Sequence, residues 1–388
     1  MDVLSSSNLM SSSKLSVKKA LNFLHTENSD EILTWKKSCL SISINEYNRH
    51  VTFTTNVFIP ITYLCRNECS YCGYRRSKVE KGKEYTDPNE IERILLKAKR
   101  KKVSEVLLTL GEKPESKYSA AQKWLSKNGY GSTIDYIYFI AQKALDFGLL
   151  THINAGSINY DELKILKEVS ASMGVMLEIL GTRLTLNGMP HAKSPDKHPK
   201  KRLTTIKNAG KLKIPFTSGL LVGIGETPKE IVSSLYALRN IHKKYRHLQE
   251  VIIQNFHPHI GRKMIHFPAI SIEYLEKVVI LARHILPSEI SIQVPPNLIK
   301  GNEPRFLEAG VSDWGGISSI THDYINPDHS WPKISHLQNK TTQAGFILKE
   351  RLPVYPRYIR LPWLSKEVYS LITSKDFQTK DGSRKRYT

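Results

Sequence analysis

The chain has 388 residues, 40% of them hydrophobic and 24% charged, a composition typical of globular proteins. Lys and Arg outnumber Asp and Glu by 57 to 36, but the excess is diffuse, so we interpret it as solvated helix faces rather than a nucleic-acid site. No apolar run approaches the roughly 18 residues of a membrane span, and the serine-rich start lacks the apolar core of a secretory signal. We therefore expect a cytoplasmic protein that acts on neither membranes nor nucleic acids.

Helix and strand patterns divide the chain into three parts. Residues 1–50 are predicted as a polar tail and a helical extension, with helices near 16–25 and 31–40. From residue 51, short β-rich apolar runs alternate with amphipathic helices. The strands are predicted at 54–64, 105–110, 149–154, 175–180, 216–223, 250–255, 290–294 and 311–314. Helices are predicted at 88–101, 160–169, 229–245 and 272–286, and a basic C-terminal tail at 366–388.

This alternation predicts an α/β fold in which parallel strands are joined by right-handed crossovers. The repeating units of residues 51–365 predict a TIM-barrel-like (β/α)8 domain, with a partial barrel as the alternative because the last two strands are the weakest. In such barrels the chemistry lies at the C-terminal ends of the strands. Cysteine, carboxylate, amide and glycine residues follow or end most of the predicted strands, which places a candidate site there.

Three of the four cysteines, Cys65, Cys69 and Cys72, follow the first predicted strand with the spacing C-x3-C-x2-C. Thiolates on such a loop can bind three irons of a 4Fe-4S cluster and leave the fourth iron open to S-adenosylmethionine (SAM). Structural zinc is the alternative, but it normally needs four ligands, and no histidine stands at zinc-finger spacing near the loop. Cys39 stands apart and is interpreted as a buried or spare thiol.

The cysteine loop resembles that of radical SAM enzymes, and neighbouring residues fit this resemblance. Tyr71 is similar to the aromatic residue that these enzymes place against the adenine of SAM. Gly111 and Glu112 resemble the Gly-Gly-Glu motif that receives the SAM amino group, although Leu110 replaces the first glycine. The resemblance implies a radical SAM barrel that binds a 4Fe-4S cluster and SAM.

The fourth and fifth predicted strands carry further residues of the implied cofactor site. Residues 219–226 match the G-x-I-x-G-x-x-E pattern of radical SAM barrels, in which Gly223 and Glu226 would lie near the cofactor. A dinucleotide fingerprint is rejected because its third glycine is missing. Glu178 would be a carboxylate in the barrel core, either bonded to the SAM ribose or paired with Arg183, and the sequence leaves both interpretations open.

Beyond these motifs, residues 51–358 resemble FO synthase subunit 1, the radical SAM family that forms the deazaflavin FO in coenzyme F-420 biosynthesis. The resembling segments are 111–115, 191–202, 223–227, 251–256, 293–298, 313–316, 325–327 and 351–355. The resemblance implies a lyase whose substrate is an adduct of tyrosine-derived 4-hydroxybenzyl with ribityl-diaminouracil, made by partner subunit 2. With a reductant such as ferredoxin or flavodoxin, SAM cleavage would give methionine and a 5'-deoxyadenosyl radical, and ring closure would release ammonia.

The same resemblance points to substrate and acid–base residues. The side-chain amides that could pair with a uracil edge and a ribityl chain are Asn154, Gln254, Asn255, Gln293 and Asn297. Such amides can instead satisfy loop backbone groups. Asp313 and His191 are the candidate acid–base groups for the proton losses, although a lone histidine in a basic loop is more often solvated.

Other functions stay open on the sequence. The nearest is another enzyme of the same clan, FO synthase subunit 2 or a menaquinone-pathway enzyme, but residues 313–316 and the segment around His191 favour subunit 1. A tRNA-modifying radical SAM enzyme would use the positive charge, yet no appended RNA-binding module is evident. Outside enzymes, the alternative is a zinc protein that binds nucleic acid.

Overall fold

The computed structural model describes residues 15–374. The strands in this range are β1 (His50–Thr62), β2 (Glu105–Leu110), β3 (Thr151–Asn154), β4 (Ser172–Gly174), β5 (Phe216–Val222), β6 (Leu248–Asn255), β7 (Ser291–Gln293), β8 (Asp313–Ser318) and β9 (Ile347–Glu350). The helices are α1 (Val17–His25), α2 (Ser29–Tyr47), α3 (Pro88–Arg100), α4 (Ser119–Lys127), α5 (Thr133–Asp146), α6 (Tyr160–Lys167), α7 (Pro199–Lys211), α8 (Pro228–Tyr245), α9 (Ile272–Ile285), α10 (Glu303–Glu308), α11 (Ile334–Gln343) and α12 (Lys366–Thr373).

Strands β1 to β8 form a closed parallel barrel. Each strand pairs with the next in chain order, and β1 pairs with both β2 and β8, which closes the ring. The 13 residues of β1 make this possible, since its first half pairs with β8 and its second half with β2. The predicted (β/α)8 fold is confirmed, and the partial-barrel alternative is wrong.

Strand β4 is shorter than the predicted strand at 175–180. Beyond Gly174 the chain still follows β5, because the amide of Val175 donates to the carbonyl of Thr217 and the amide of Glu178 to that of Gly219, both at 3.1 Å. Glu178, which forms an isolated bridge with Leu220, has a φ of 65°, in the left-handed region that non-glycine residues rarely adopt. The predicted strand is therefore an irregular extension that ends in a strained glutamate.

A ninth strand and the segment after it close the N-terminal end of the barrel. Strand β9, which the sequence patterns missed, pairs in parallel with the first residues of β1. The segment 351–355 then crosses beneath the barrel, where the carbonyl of Pro353 accepts hydrogen bonds from Ser172 Oγ at 2.6 Å and Gln249 Nε2 at 3.0 Å. Val354 is fully buried there. We call this segment the floor segment.

The N-terminal extension packs on the outside of the barrel. Helices α1 and α2 contact α8, α9 and α10. Trp35 is the centre of this contact, stacked on Phe23 with ring centroids 4.2 Å apart and set edge-on to His284 at 4.7 Å. The predicted polar start and most of the predicted basic tail lie outside the described residues, and the part of that tail that is described begins with α12. None of the described helices combines the length and apolarity that crossing a bilayer requires.

Candidate active site

A cavity of about 360 Å³ opens at the C-terminal ends of the barrel strands. Its size lies in the range of small-molecule sites, roughly 300–1,000 Å³. The predicted site residues that line it are Cys65, Cys69, Cys72, Tyr71, Gly111, Glu112, Asn154, Glu178, Gln254, Asn255 and Gln293. The predicted site residues that do not line it are Arg183, His191, Gly223, Glu226, Asn297 and Asp313.

The three cysteines of the loop are free thiols that face this cavity. Each sulfur accepts a hydrogen bond: Cys65 from the amide of Glu112 at 3.1 Å, Cys69 from Ser194 Oγ at 3.3 Å, and Cys72 from a backbone amide at 3.4 Å. Burial raises the pKa of Cys65 to about 12, so without a cationic centre this thiol stays protonated. The three sulfur atoms therefore face one cavity, each with a hydrogen-bond donor of its own.

Residues 190–197 hold the cysteine loop from one side. The amides of Glu68 and Ser70 donate to carbonyls of this segment, each at 3.0 Å. Arg66 forms a bidentate ion pair with Asp196, whose amide in turn donates to Asn67 Oδ1 at 3.0 Å. The backbone bonds and the ion pair fix the position of the loop, and Ser194 of the same segment adds the contact to Cys69 Sγ.

His191 belongs to this supporting segment and not to the cavity wall. It is 2% exposed, and its Nε2 lies 2.9 Å from the hydroxyl of Tyr71. Burial, together with the charge of Lys197, lowers the pKa of His191 to about 3, so the ring is neutral. The acid–base interpretation of His191 does not fit this position, and its contact instead orients Tyr71, which does line the cavity.

Glu112 is held by three donors at the cavity edge. Its carboxylate accepts from the amide of Ser157 at 2.7 Å, from Asn67 Nδ2 at 3.0 Å and from Arg202 Nη2 at 2.9 Å. Gly111 before it lies so close to the backbone of Leu64 that any side chain there would clash with the Leu64 carbonyl. The glycine therefore lets the second strand end approach the cysteine loop, and the glutamate is fixed beside Cys65.

Glu178 forms a buried ion pair, but with Lys197 and not with Arg183. Arg183 bonds the carbonyl of Gly225 at 2.6 Å and Glu230 at 2.9 Å, and it lies outside the cavity, so its predicted pairing with Glu178 is wrong. Burial opposes ionisation of Glu178, but Lys197 and another nearby cation outweigh it and lower its pKa. Glu178 and Lys197 thus give the cavity wall a charged pair at a strained backbone position.

Gly223 and Glu226 shape the loop after β5. The Glu226 carboxylate accepts from the amides of Gly223 at 2.7 Å and Ile224 at 2.9 Å, so it closes a turn of its own backbone. Burial raises the pKa of Glu226. Because neither residue lines the cavity, the structure places them behind the wall that they were predicted to form.

Asp313 is a structural anchor beneath the cavity. It is fully buried and forms an ion pair with Arg351, whose Nη2 lies 2.8 Å from Oδ1, while the hydroxyl of Tyr355 donates to Oδ2 at 2.8 Å. Thr52 and the amide of Gly315 donate to the same carboxylate. Its acceptor positions are occupied and it does not reach the cavity, so the acid–base interpretation does not fit Asp313.

Four of the five predicted amides face the cavity, and the fifth does not. Asn297 donates to Asp323 Oδ2 and to the carbonyl of His329, each at 3.0 Å, and so supports a loop. Asn255 keeps a buried Oδ1 without a partner among the described residues, which leaves an acceptor for a ligand. The side chain of Gln293 lies over Gly315, where a Cβ would clash with it.

Several cavity residues had no counterpart in the sequence-based prediction. They are Asn56, Glu105, His152, Gln249, Glu250, His257, His259 and Trp331. Burial is the largest cause of the lowered pKa values of His257 and His259. Glu105 opens a predicted strand and Glu250 opens another, and a carboxylate within a strand of a buried barrel was the available signal for both.

Comparison with known proteins agrees with this geometry. Residues 59–235 match the model of the Radical SAM superfamily. The 7,8-didemethyl-8-hydroxy-5-deazariboflavin synthase of Methanocaldococcus jannaschii is 47% identical over 359 residues, which cover 92% of this chain and 98% of that protein. The protein of the same name from Methanosarcina barkeri is 46% identical over 337 residues, 87% of this chain and 100% of its own length.

Two solved structures share the fold at low sequence identity. The FeFe-hydrogenase maturase HydG matches with a TM-score of 0.70 and 16% identity, over 92% of this chain and 76% of its own. Methylornithine synthase PylB matches with a TM-score of 0.67 and 17% identity, over 87% of this chain and 95% of its own.

Proposed function

The chain belongs to the 7,8-didemethyl-8-hydroxy-5-deazariboflavin (FO) synthase family of the radical SAM superfamily, and we propose that it catalyses the ring closure that forms FO. The carrying observation is the 47% identity over nearly the full length of such a synthase, combined with three free cysteines in one barrel cavity. Enzymes of this superfamily use a 4Fe-4S cluster and SAM. The substrate proposed here is the adduct of 4-hydroxybenzyl with ribityl-diaminouracil.

The donor set of the cavity fits such a cluster. Cys65, Cys69 and Cys72 share one loop, whereas Cys39 is fully buried against α9 and cannot reach it. We assign the three loop thiolates to three irons, with the fourth iron open to SAM. Among residues 15–374, no three His, Cys, Asp or Glu side chains are grouped tightly enough for a single metal ion. When bound, the cluster and SAM supply a one-electron cleavage that yields a 5'-deoxyadenosyl radical.

The chain's own residues bind and orient the reactants. Glu112, already held by Arg202, offers a carboxylate beside Cys65 for the SAM amino group, and the Glu178–Lys197 pair offers polar partners for its ribose or carboxylate. Gln254 and Gln293 offer the donor–acceptor pairs that a uracil edge needs. The barrel wall around them excludes water, which protects a radical from side reactions.

Two further proteins are part of the proposal. A partner subunit would supply the adduct, and a low-potential protein such as ferredoxin or flavodoxin would supply the electron. The cytoplasmic location expected from the sequence belongs to the same proposal, because unpaired thiols persist in reducing compartments.

The test is anaerobic reconstitution of the protein and of a matched pair of variants, Cys69→Ala and Cys39→Ala. Iron content, 5'-deoxyadenosine and fluorescent FO would be measured with SAM and dithionite, with and without adduct generated by the partner subunit. We expect adduct-dependent FO from the wild type and from Cys39→Ala, and loss of both products in Cys69→Ala. Formation of 5'-deoxyadenosine without FO would support radical SAM chemistry but would show that this chain acts on a different substrate. A colourless protein that forms neither product would support the zinc alternative.

A further inference from the structure

We propose that Glu105, Glu250 and Asn56, at the bottom of the cavity, bind the polyol chain of the substrate. The inference rests on the proposed function, since the deazariboflavin product carries a ribityl chain. It adds a second layer to the site, below the amides that face the rings. We call these three residues the cavity floor.

The cavity floor lies deep in the barrel and spans its width. Glu105 is the first residue of β2, and Glu250 lies in β6, the strand on the opposite side of the ring. Both line the same cavity as the cysteines. Along β2, Glu105 lies five residues before Leu110 at the strand end, roughly 16 Å at the rise of a β-strand. The cavity floor is therefore remote from the cysteine loop and close to residues 351–355, the floor segment that closes the N-terminal end of the barrel.

The two glutamates accept long hydrogen bonds, because Arg351 is paired mainly with Asp313. Arg351 makes its closest contacts with Asp313, and it reaches the Glu250 oxygens only at 3.4 Å. Glu250 also accepts from Thr217 at 3.3 Å, and Glu105 accepts from Thr54 at 3.3 Å and from the side chain of Asn56. The bonds from Arg351, Thr217 and Thr54 are long for buried carboxyl groups. Both side chains line the cavity and keep acceptor capacity beyond these bonds.

Burial in this layer favours a protonated carboxyl group. It raises the pKa of Glu250 to about 8, opposed by Arg351 and reinforced by Asp313 and Glu105, and it also raises the pKa of Glu105. Near neutral pH, Glu250 thus holds a proton and can donate one hydrogen bond as well as accept others. The cavity floor then presents a mixture of donors and acceptors.

One buried polar atom of the cavity floor has no partner in the described part of the chain. Asn56 is 1% exposed, lines the cavity, and has an unpaired Oδ1. Unpaired buried polar atoms are costly, and a bound ligand can satisfy them.

The chemistry of the cavity floor selects the polyol over the other parts of the adduct. Each hydroxyl of a ribityl chain donates and accepts, which matches carboxyl and amide groups that surround the chain from opposite strands. A phenol offers a single hydroxyl, and a uracil edge needs donor–acceptor partners of the kind that the amides of Gln254 and Gln293 supply. The polyol therefore occupies the bottom of the cavity, and the rings lie toward the cysteine loop.

The experiment compares two adducts, one with the ribityl chain and one with a methyl group in its place. Their dissociation constants would be measured by calorimetry on the reconstituted protein without reductant, so that no turnover occurs. The test variants are Glu250→Met and Glu105→Met, which keep the size of the side chain but remove its polar atoms. Glu250→Gln is the conservative rescue, and Glu92→Gln on the surface is the control.

We expect Glu250→Met and Glu105→Met each to weaken binding of the ribityl adduct about tenfold, the loss of one or two hydrogen bonds. Glu250→Gln should recover most of this loss, Glu92→Gln should match the wild type, and the methyl adduct should bind all variants within about twofold. If the variants weaken the binding of both adducts equally, or do not weaken the binding of the ribityl adduct, the polyol assignment is wrong. FO formation by the wild type would still support the proposed function. A wild type that binds neither adduct would overturn the proposed function and this inference together.

Discussion

Burial determines the protonation state of several histidines in this barrel. It lowers the pKa of His247 to about 3 and that of His152 to about 4. His247 Nε2–H donates to the carbonyl of Ile206, 2.9 Å away, and its Nδ1 has no partner among the described residues. These rings remain neutral in the folded protein at pH values where an unfolded chain would protonate them.

His247→Gln should make the free energy of unfolding less dependent on pH. As the pH falls below 6.5, the unfolded histidine binds a proton that the folded one rejects, so wild-type stability is lost progressively toward pH 3. At pH 5 the loss from this residue is roughly 2 kcal/mol. Urea unfolding at pH 7 and pH 5 checks this, with exposed His25→Gln as the control. An unchanged pH dependence in His247→Gln would contradict the assignment.

Residue types at the site were predictable where the strand boundaries were correct. Gln254 and Asn255 end β6 in both prediction and structure, and both face the cavity. Asp313 was expected near the end of its strand, but β8 begins at Asp313, so its carboxylate lies at the N-terminal end of the barrel. The pairing of Glu178 with Lys197 could not be deduced, because it depends on how the segment after β4 folds back over the cavity.

At the scale of elements, glycines in β8 make room for amide side chains from neighbouring strands. A Cβ at Gly315 would clash with the Gln293 amide, and one at Gly316 would clash with the Asn56 amide. Both amides line the cavity. The segment Asp313–Gly316 therefore combines an anchor for Arg351 with two gaps that admit cavity-lining side chains. The segment Asp313–Gly316 was recognisable as a motif in the sequence, but the reason for its two glycines is seen only in the packing of β1, β7 and β8.

Gly315→Ala should raise the KM of FO formation for the adduct, because the new methyl group displaces Gln293. Gly188→Ala is the matched control: Gly188 has a φ of +80°, and its Cβ would meet nothing within 4 Å, whereas Gly315 has a φ of +72°. Both substitutions should cost about 1–2 kcal/mol of stability for the left-handed backbone. Steady-state kinetics and urea unfolding separate the two effects, and an unchanged KM in Gly315→Ala would refute the steric argument.

At the scale of the whole molecule, the chain is a barrel with a helical cover on one side. The alternation of patterns predicted the barrel, since each parallel strand needs a crossover helix. It did not predict β9, a four-residue strand whose pairing with the start of β1 is fixed by distant contacts. The extension of α1 and α2 covers the outer face of α8, α9 and α10 and is joined to them through Trp35.

Trp35→Ala should lower the free energy of unfolding by roughly 3–5 kcal/mol, the usual cost of removing a large buried aromatic side chain. Trp35 is 5% exposed, whereas Leu33 in the same helix is 48% exposed, so Leu33→Ala should change stability by about 0.5 kcal/mol or less. Chemical unfolding measures both. Iron content after reconstitution should be unchanged, because the contact lies outside the barrel, and cluster loss in Trp35→Ala would contradict that separation.

The floor segment has a kinetic consequence. Because residues 351–355 close the N-terminal end, the reactants must exchange through the mouth beside the cysteine loop. If the polyol occupies the bottom and SAM the mouth, as proposed above, we expect the adduct to enter before SAM, and methionine and 5'-deoxyadenosine to leave before FO. Steady-state kinetics should therefore follow a compulsory order, in which SAM bound to the empty barrel is a dead-end complex and high SAM concentrations inhibit competitively against the adduct.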